Sequence, residues 1–366
     1  MIRFTDVTKV YPDGTTAVGG LSLTVPTGRT TVFVGPSGCG KTTSLRMINR
    51  MIEPTSGTIE IQGRDTASMD PVELRRGIGY VIQSGGLFPH RTILDNVATV
   101  PLLLGWDKAQ ARASAMELLE RVGLSPTLAK RYPNQLSGGQ QQRVGVARAL
   151  AADPPIMLMD EPFSAVDPIV REQLQDEFQR LQRELGKTIV LVTHDIDEAI
   201  KLGDEIAVLR TGGTLAQLDS PEDLLADPAD DFVADFVGRD RGYRALAFAA
   251  APDLPLHAEP TVPLGATVTL ARDAAGSQRW LLVVDDERRP QGWVEPSRLE
   301  GEITAEQLHR GGTVARLGGS LRAALDAALS SPARRGVIVD DEGVFLGTVL
   351  ARDVLSAIEH PAEPSP

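Results

Sequence analysis

The 366-residue chain is long enough for two domains with separate cores, and 42 % hydrophobic with 23 % charged residues is the balance of a folded globular protein, which excludes disordered and fibrous classes. A formal net charge of −12 and a pI near 5.0 argue against a nucleic-acid partner, because phosphate backbones are bound by clustered Lys and Arg. The single cysteine, Cys39, excludes an intramolecular disulfide and fits a reducing compartment.

The opening residues, MIRFTDVTKVYPDG, alternate polar and apolar side chains and lack the apolar stretch of a signal peptide, so export by that route is not expected. Residues 2–10 and 21–25 read as strands around the turn PDG. TTVFVG at 30–35 reads as a buried strand entering a Gly-rich loop, with helical periodicity resuming in SLRMINRM. The longest apolar run, VATVPLLLGW at 97–106, is broken by proline and is about half of the roughly 20 residues a membrane helix needs, so any membrane crossing falls to other chains. From 107 to 150 the pattern is mostly helical. Strands return at 156–160, 188–194 and 205–210 with helical segments between them, the alternation of an α/β layer with a largely parallel sheet.

GPSGCGKTT at 35–43 fits G-x-x-x-x-G-K-[ST] in the strand–loop–helix setting such a loop requires. The expected nucleotide cradle is Gly35, Pro36, Ser37, Gly38, Cys39, Gly40, Lys41, Thr42 and Thr43. Its glycines let backbone N–H groups turn inward and the following helix adds its positive end. Lys41 is placed to pair with β- and γ-phosphate oxygens and the Thr42 hydroxyl to ligate Mg²⁺, while Cys39 reads as a small residue tolerated in the loop. IMLMDE at 156–161 is an apolar strand ending in two carboxylates: Asp160 is expected to hold Mg²⁺ through water, and Glu161 to polarise the attacking water as general base.

LSGGQ at 136–140 is a second Gly-rich, hydroxyl-bearing segment, with Ser137, Gly138, Gly139 and Gln140. One loop already covers its nucleotide from one side. A second set of N–H groups can reach the γ-phosphate only from the open face, so a second copy of the chain is the expected source, in a head-to-tail dimer with ATP at the seam.

Composition shifts near 238–265 to an Ala- and Pro-rich stretch of weak periodicity, which places a domain boundary at 240 and a linker at 241–264. Beyond it, WLLVVDDERRPQGWV at 280–294 and RGVIVDDEGVFLGTV at 335–349 repeat one unit: apolar strand, acidic turn, and a second strand after a glycine. Two copies of one module are therefore expected over 265–358, packed on each other. The first copy lacks an obvious helix before its strands. Residues 359–366 read as a frayed tail.

Taken in order, these motifs resemble the ATP-binding-cassette ATPases, the motor subunits of transporters, with LSGGQ as the family signature. The resemblance covers about residues 1–240 and implies an α/β fold, a P-loop NTPase cassette with a helical signature subdomain at about 87–150. It also implies roles for further residues. Tyr11 would stack on adenine, Gln83 would sense Mg²⁺ and the attacking water, Asp167 in SAVD would cross to the other subunit, and His194 would contact the γ-phosphate as the switch histidine. Two glycines after Gln83, Gly85 and Gly86, would loosen the segment facing the membrane subunit or serve a turn.

LFPHRTILDNVATVPLLLGWDK at 87–108, DEPFSAVDPIVREQLQDEF at 160–178 and the paired repeats look like the importers of glycine betaine, choline, carnitine and related quaternary amines. In that subgroup the C-terminal repeats are tandem cystathionine-β-synthase-type (CBS) modules, a small α+β domain. The implied partners are a second copy of the chain, separate integral membrane permease subunits and, indirectly, a solute-binding protein, with the ATPase peripheral on the cytoplasmic side of the plasma membrane. Other solutes (amino acids, polyamines, ions) and a soluble ATP-dependent dimerisation switch remain open alternatives. From residue 241 onward there is no Lys, and 17 Asp or Glu outnumber 13 Arg, so the tail is not a basic membrane-sensing surface. Nucleotide binding and dimer bracing are both open for it.

Overall fold

A computed structural model describes residues 1–83, 86–164, 166–251 and 254–360, and divides into two units, Met1–Gly238 and Arg239–Pro366.

Among the described residues the first unit contains ten strands: β1 (Ile2–Val10), β2 (Thr16–Val25), β3 (Thr30–Val34), β4 (Ser56–Ile61), β5 (Arg64–Asp65), β6 (Ile78–Val81), β7 (Ile156–Asp160), β8 (Thr188–Val192), β9 (Glu205–Arg210) and β10 (Thr214–Asp219). They form an antiparallel sheet in the order β2-β1-β4-β5 and a larger sheet in the order β10-β9-β3-β8-β7-β6. In the larger sheet every neighbouring pair is parallel except β10 with β9 at one edge. Strands β3, β7 and β8 are buried along their whole length, which is why they read as continuous apolar runs and not as alternating ones.

The helix Lys41–Ile48 follows β3, and its Leu45, Met47 and Ile48 enter one core with Phe4, Phe33, Leu158 and Val190. Each such side chain contributes about 2 kcal/mol by leaving water. The rings of Phe4 and Phe33 meet edge to face with centroids 6.2 Å apart. This packing sets the helix start against the carboxyl ends of β3 and β7, which flank β8 at the end of a parallel sheet where ligands bind.

A separate core joins the helices Ile93–Val97, Lys108–Arg121 and Gly138–Leu150. Helix Lys108–Arg121 starts at Asp107, whose carboxylate accepts from two backbone N–H groups, and buries Ala111, Ala115 and Leu119 at four-residue spacing. The apolar run at 97–106 folds into the end of one short helix and the next, Thr99–Leu103. Among the described residues no helix is long and apolar enough to cross a membrane.

In the second unit, β11 (Thr261–Pro263), the helix Val268–Ala275, β12 (Leu281–Val284) and β13 (Pro290–Val294) are followed by β14 (Val314–Arg316), the helix Leu321–Ser330, β15 (Arg335–Val339), β16 (Phe345–Leu350) and a final helix, Ala351–Glu359. The two repeats have the same topology, a parallel then an antiparallel pairing, and the same bulge. Val283 faces Gly292 where Ile338 faces Gly347. Leu282, Val284 and Trp293 of the first repeat pack on Val337, Val339 and Phe345 of the second.

Each sheet edge is completed by a segment belonging to the other repeat. His257, ahead of β11, exchanges N–H···O bonds of 2.8 and 2.9 Å with Thr348 of β16. His309, ahead of β14, exchanges bonds of 2.7 and 3.0 Å with Trp293 of β13. A Cβ at Gly292 or Gly347 would stand 3.1 Å from the carbonyl oxygen of His309 or His257, so the repeated glycine is where the exchanged strand comes close.

Two expectations change. Residues 241–264 are not a linker: they carry the helix Arg241–Ala245 and β11, and Leu246, Ala251 and Leu254 pack in the core of the second repeat. The first repeat does have a helix before its hairpin, Val268–Ala275, capped by Thr267 as Leu321–Ser330 is by Ser320. Residues 361–366 of the expected tail lie outside the described residues.

Candidate active site

The loop after β3 is held by close backbone approaches. Gly40 has φ 87°, and a Cβ there would meet the carbonyl oxygen of Ala17 at 2.1 Å. At Gly35 a Cβ would meet that of Leu209 at 2.3 Å. No other residue fits these positions. Ser37 and Gly38 form the exposed crest, Cys39 is fully buried beneath it, and Thr42 and Thr43 are half-buried at the helix start. The Lys41 ammonium donates to the carbonyl oxygens of Gly35 at 2.7 Å and Pro36 at 3.0 Å, which hold it over the loop.

Thr42 Oγ1 donates to Asp160 Oδ1 at 2.9 Å, and Arg46, one helical turn on, reaches Asp160 Oδ2 at 3.7 Å. A hydroxyl and a carboxylate on adjacent strand and helix ends are hard oxygen donors of the kind Mg²⁺ takes, and Gln83 adds an amide nearby, so the residues fit the ion.

Glu161 begins the next turn with φ 46°, a left-handed conformation that costs a non-glycine residue about 1 kcal/mol and recurs where function demands it. Its backbone N–H donates to Val192 O at 2.9 Å, fixing it to the end of β8. One carboxylate oxygen accepts from Gln83 Nε2 at 3.0 Å and the other lies 3.3 Å from His194 Nδ1. The structure therefore brings together Thr42, Asp160, Gln83, Glu161 and His194 from four separate stretches of sequence. His194 and Gln83 are exposed beside them, and Glu161 keeps partial access to solvent.

Tyr11 follows β1 at the tip of the hairpin whose other strand, at Ala17 and Val18, packs against Gly40, and Lys9 lies over its ring. Ser137 caps the helix Gly138–Leu150: its hydroxyl accepts from Gln140 N–H and Gln140 Oε1 accepts from Ser137 N–H, a reciprocal pair that leaves the helix start rigid. Ser137 and Gly138 are exposed; Gly139 is buried, its Cβ position 2.7 Å from Val170. The signature helix packs on the helical core and on Pro168–Leu185, whereas the phosphate-loop helix packs on β2, β7 and β8. Asp167 is exposed and caps Pro168–Leu185 through Val170 N–H. Ala165, Ser84 and Gly85 lie outside the described residues. Gly86 has φ 54°, and a Cβ there would meet Ile82 at 2.2 Å, so turn geometry requires it.

Sequence reading missed Arg46, Ser164 and Glu198. Arg46 was open to detection, since it follows Thr42 by four residues on one helix. Ser164, whose hydroxyl donates to Glu161 O at 3.0 Å, and Glu198, buried behind His194, carried no local signal.

Residues 18–164 match the ABC transporter family model. The chain is 44 % identical to the choline transport ATP-binding protein OpuBA of Bacillus subtilis, over 98 % of this chain and 96 % of that protein. It is 47 % identical to the osmoprotectant import ATP-binding protein OsmV of Salmonella typhimurium, over 91 % and 88 %. Among solved structures, the ATP-binding cassette MJ0796, in a dimeric post-hydrolysis state with ADP and Pi, is 37 % identical with a TM-score of 0.55, covering 60 % of this chain and 99 % of that one. The chain belongs to the ABC transporter family as an ATP-hydrolysing, ATP-binding subunit.

Proposed function

We propose that two copies of this chain, joined head to tail, drive an importer of glycine betaine, choline or a related quaternary amine from the cytoplasmic face of the membrane. The hydrogen bond of Gln83 to Glu161 and the approach of His194 to the same carboxylate, beside Thr42 and Asp160, carry the hydrolytic half of this reading. Thr42, Asp160 and Gln83 would hold Mg²⁺, which when bound neutralises phosphate charge. Lys41 and the loop N–H groups bind the phosphates, Glu161 takes the proton of the attacking water, and His194 orients the γ-phosphate. The exposed, capped start of the signature helix would meet the nucleotide of the second copy.

A groove of about 570 Å³ lined by Arg46, Tyr80, Ile82, Phe88, Val100 and Leu103 adjoins the segment after Gln83. Phe88 and Leu103 are exposed there, which suits an apolar segment of a permease subunit. The solute reading is supported by relatives named for choline and osmoprotectant transport that align over the second unit as well. That unit's paired β-α-β-β repeats are consistent with tandem CBS modules.

Glu161→Gln is expected to retain ATP, stabilise the dimer and cut hydrolysis on the order of a hundredfold or more, read by phosphate release and sedimentation; normal turnover would remove Glu161 as base. Lys41→Ala is expected to abolish uptake of labelled glycine betaine, choline or carnitine in cells lacking other importers. Unchanged uptake of all three would remove the solute assignment and leave the ATPase.

A further inference from the structure

Behind Glu161 and His194 lies a polar cavity of about 40 Å³, lined also by Ser164, Arg171, Thr193 and Glu198. Glu198 is 5 % exposed. Its Oε2 accepts from Thr193 Oγ1 at 3.2 Å, but its Oε1 has no hydrogen-bond partner, and Arg171 Nε in the same cavity has none. A buried acceptor and a buried donor left unpaired on one polar space larger than the roughly 10–15 Å³ that a water requires are the signature of bound water.

We propose that Glu198 is a positioning residue of the hydrolytic centre, acting through water in this cavity on the orientation and charge balance of Glu161 and His194. The inference rests on Glu161 as the base. As water attacks, its oxygen bonds to the γ-phosphorus, the bond to the β–γ bridging oxygen breaks with its electrons leaving on ADP, and the water's proton passes to Glu161, which becomes neutral. An anionic Glu198 across the cavity favours that neutral product; a protonated one does not. The charged and titratable groups facing Glu198 are Asp195 at the cap of its own helix, Glu161 after β7, Arg171 from Pro168–Leu185, and His194. Burial first, then Asp195, push its pKa up to about 7, so its charge changes near neutrality.

The test is the pH profile of ATP hydrolysis by the full chain at saturating ATP. Wild type is expected to gain activity severalfold as pH rises through neutrality. Glu198→Gln should lose that inflection with KM for ATP unchanged. Thr193→Val removes the one hydrogen bond that lowers the proton affinity of Glu198, so its inflection should move to higher pH, which decides the matter if the Gln variant does not fold. A wild-type profile in Glu198→Gln, or an unmoved inflection in Thr193→Val, overturns the proposal. Glu161→Gln separates the two readings. If it is inactive at every pH while Glu198→Gln behaves as wild type, only this inference fails; if it turns over normally, the base assignment fails as well.

Discussion

Gly40 and Glu161 both hold left-handed backbone, for opposite reasons. At Gly40 the neighbouring Ala17 carbonyl leaves no room for a side chain, so the loop is defined by what is missing. At Glu161 the side chain is the point, and the strain is tolerated because Val192, Gln83 and His194 hold the residue from three directions. Glu198 makes a different compromise, since a carboxyl whose pKa is raised in the fold binds its proton more tightly folded than unfolded. Its contribution is therefore intact below the unfolded value of 4.5 and is lost progressively as pH climbs to about 7. The shift amounts to a loss of order 3 kcal/mol at full ionisation. Urea unfolding should show wild type weakening across that window and Glu198→Gln holding a flatter curve. Parallel curves would mean that Glu198 is not the buried acid described. Nothing in DIDEAI announces burial, and for that reason the residue was invisible in the sequence while the flanking His194 was not.

At the scale of elements, legibility followed the depth of burial. Strands β7 and β9 match their expected spans because buried parallel strands leave unbroken apolar runs. Strand β2 begins five residues before the expected LSLTV, through the glycines at 19 and 20, where its pairing with β1 is irregular. The helix Val268–Ala275 escaped notice because it buries only Ala271 and Ala275 and carries Thr, Arg and Asp on its remaining faces. The signature helix makes a sharper point. Gly139 faces the stiff, β-branched Val170 with no space for a methyl group, so Gly139→Ala must push this helix from Pro168–Leu185 by some tenths of an ångström. Nucleotide binding to the monomer should survive, while hydrolysis, which in the proposed head-to-tail assembly depends on the second copy, should fall about tenfold or more. Full activity in that variant, measured beside nucleotide affinity, would show the helix position to be slack.

For the whole molecule, the two units differ in how their sequences reveal them. The first announces itself through motifs whose chemistry demands particular residues at particular spacings. The second is legible only as a repeated hairpin, because the strand exchange joins positions far apart in sequence: His257 and Thr348 are 91 residues apart. The exchange is anchored on one side by the ion pair of Glu259 with Arg335 at 2.7 Å and the hydrogen bond of His257 with Asp353 at 2.8 Å, and on the other by the ring contact of Trp280 with His309. Neither repeat holds all of its own sheet, and this reciprocal debt imposes an order on synthesis. His257 emerges from the ribosome long before the strand it completes, so this segment must wait unpaired for nearly the last of the unit. A chain ending at residue 341 should accordingly leave 254–259 open to protease, roughly 80 residues upstream of the missing segment, and only restoring β16 should close it.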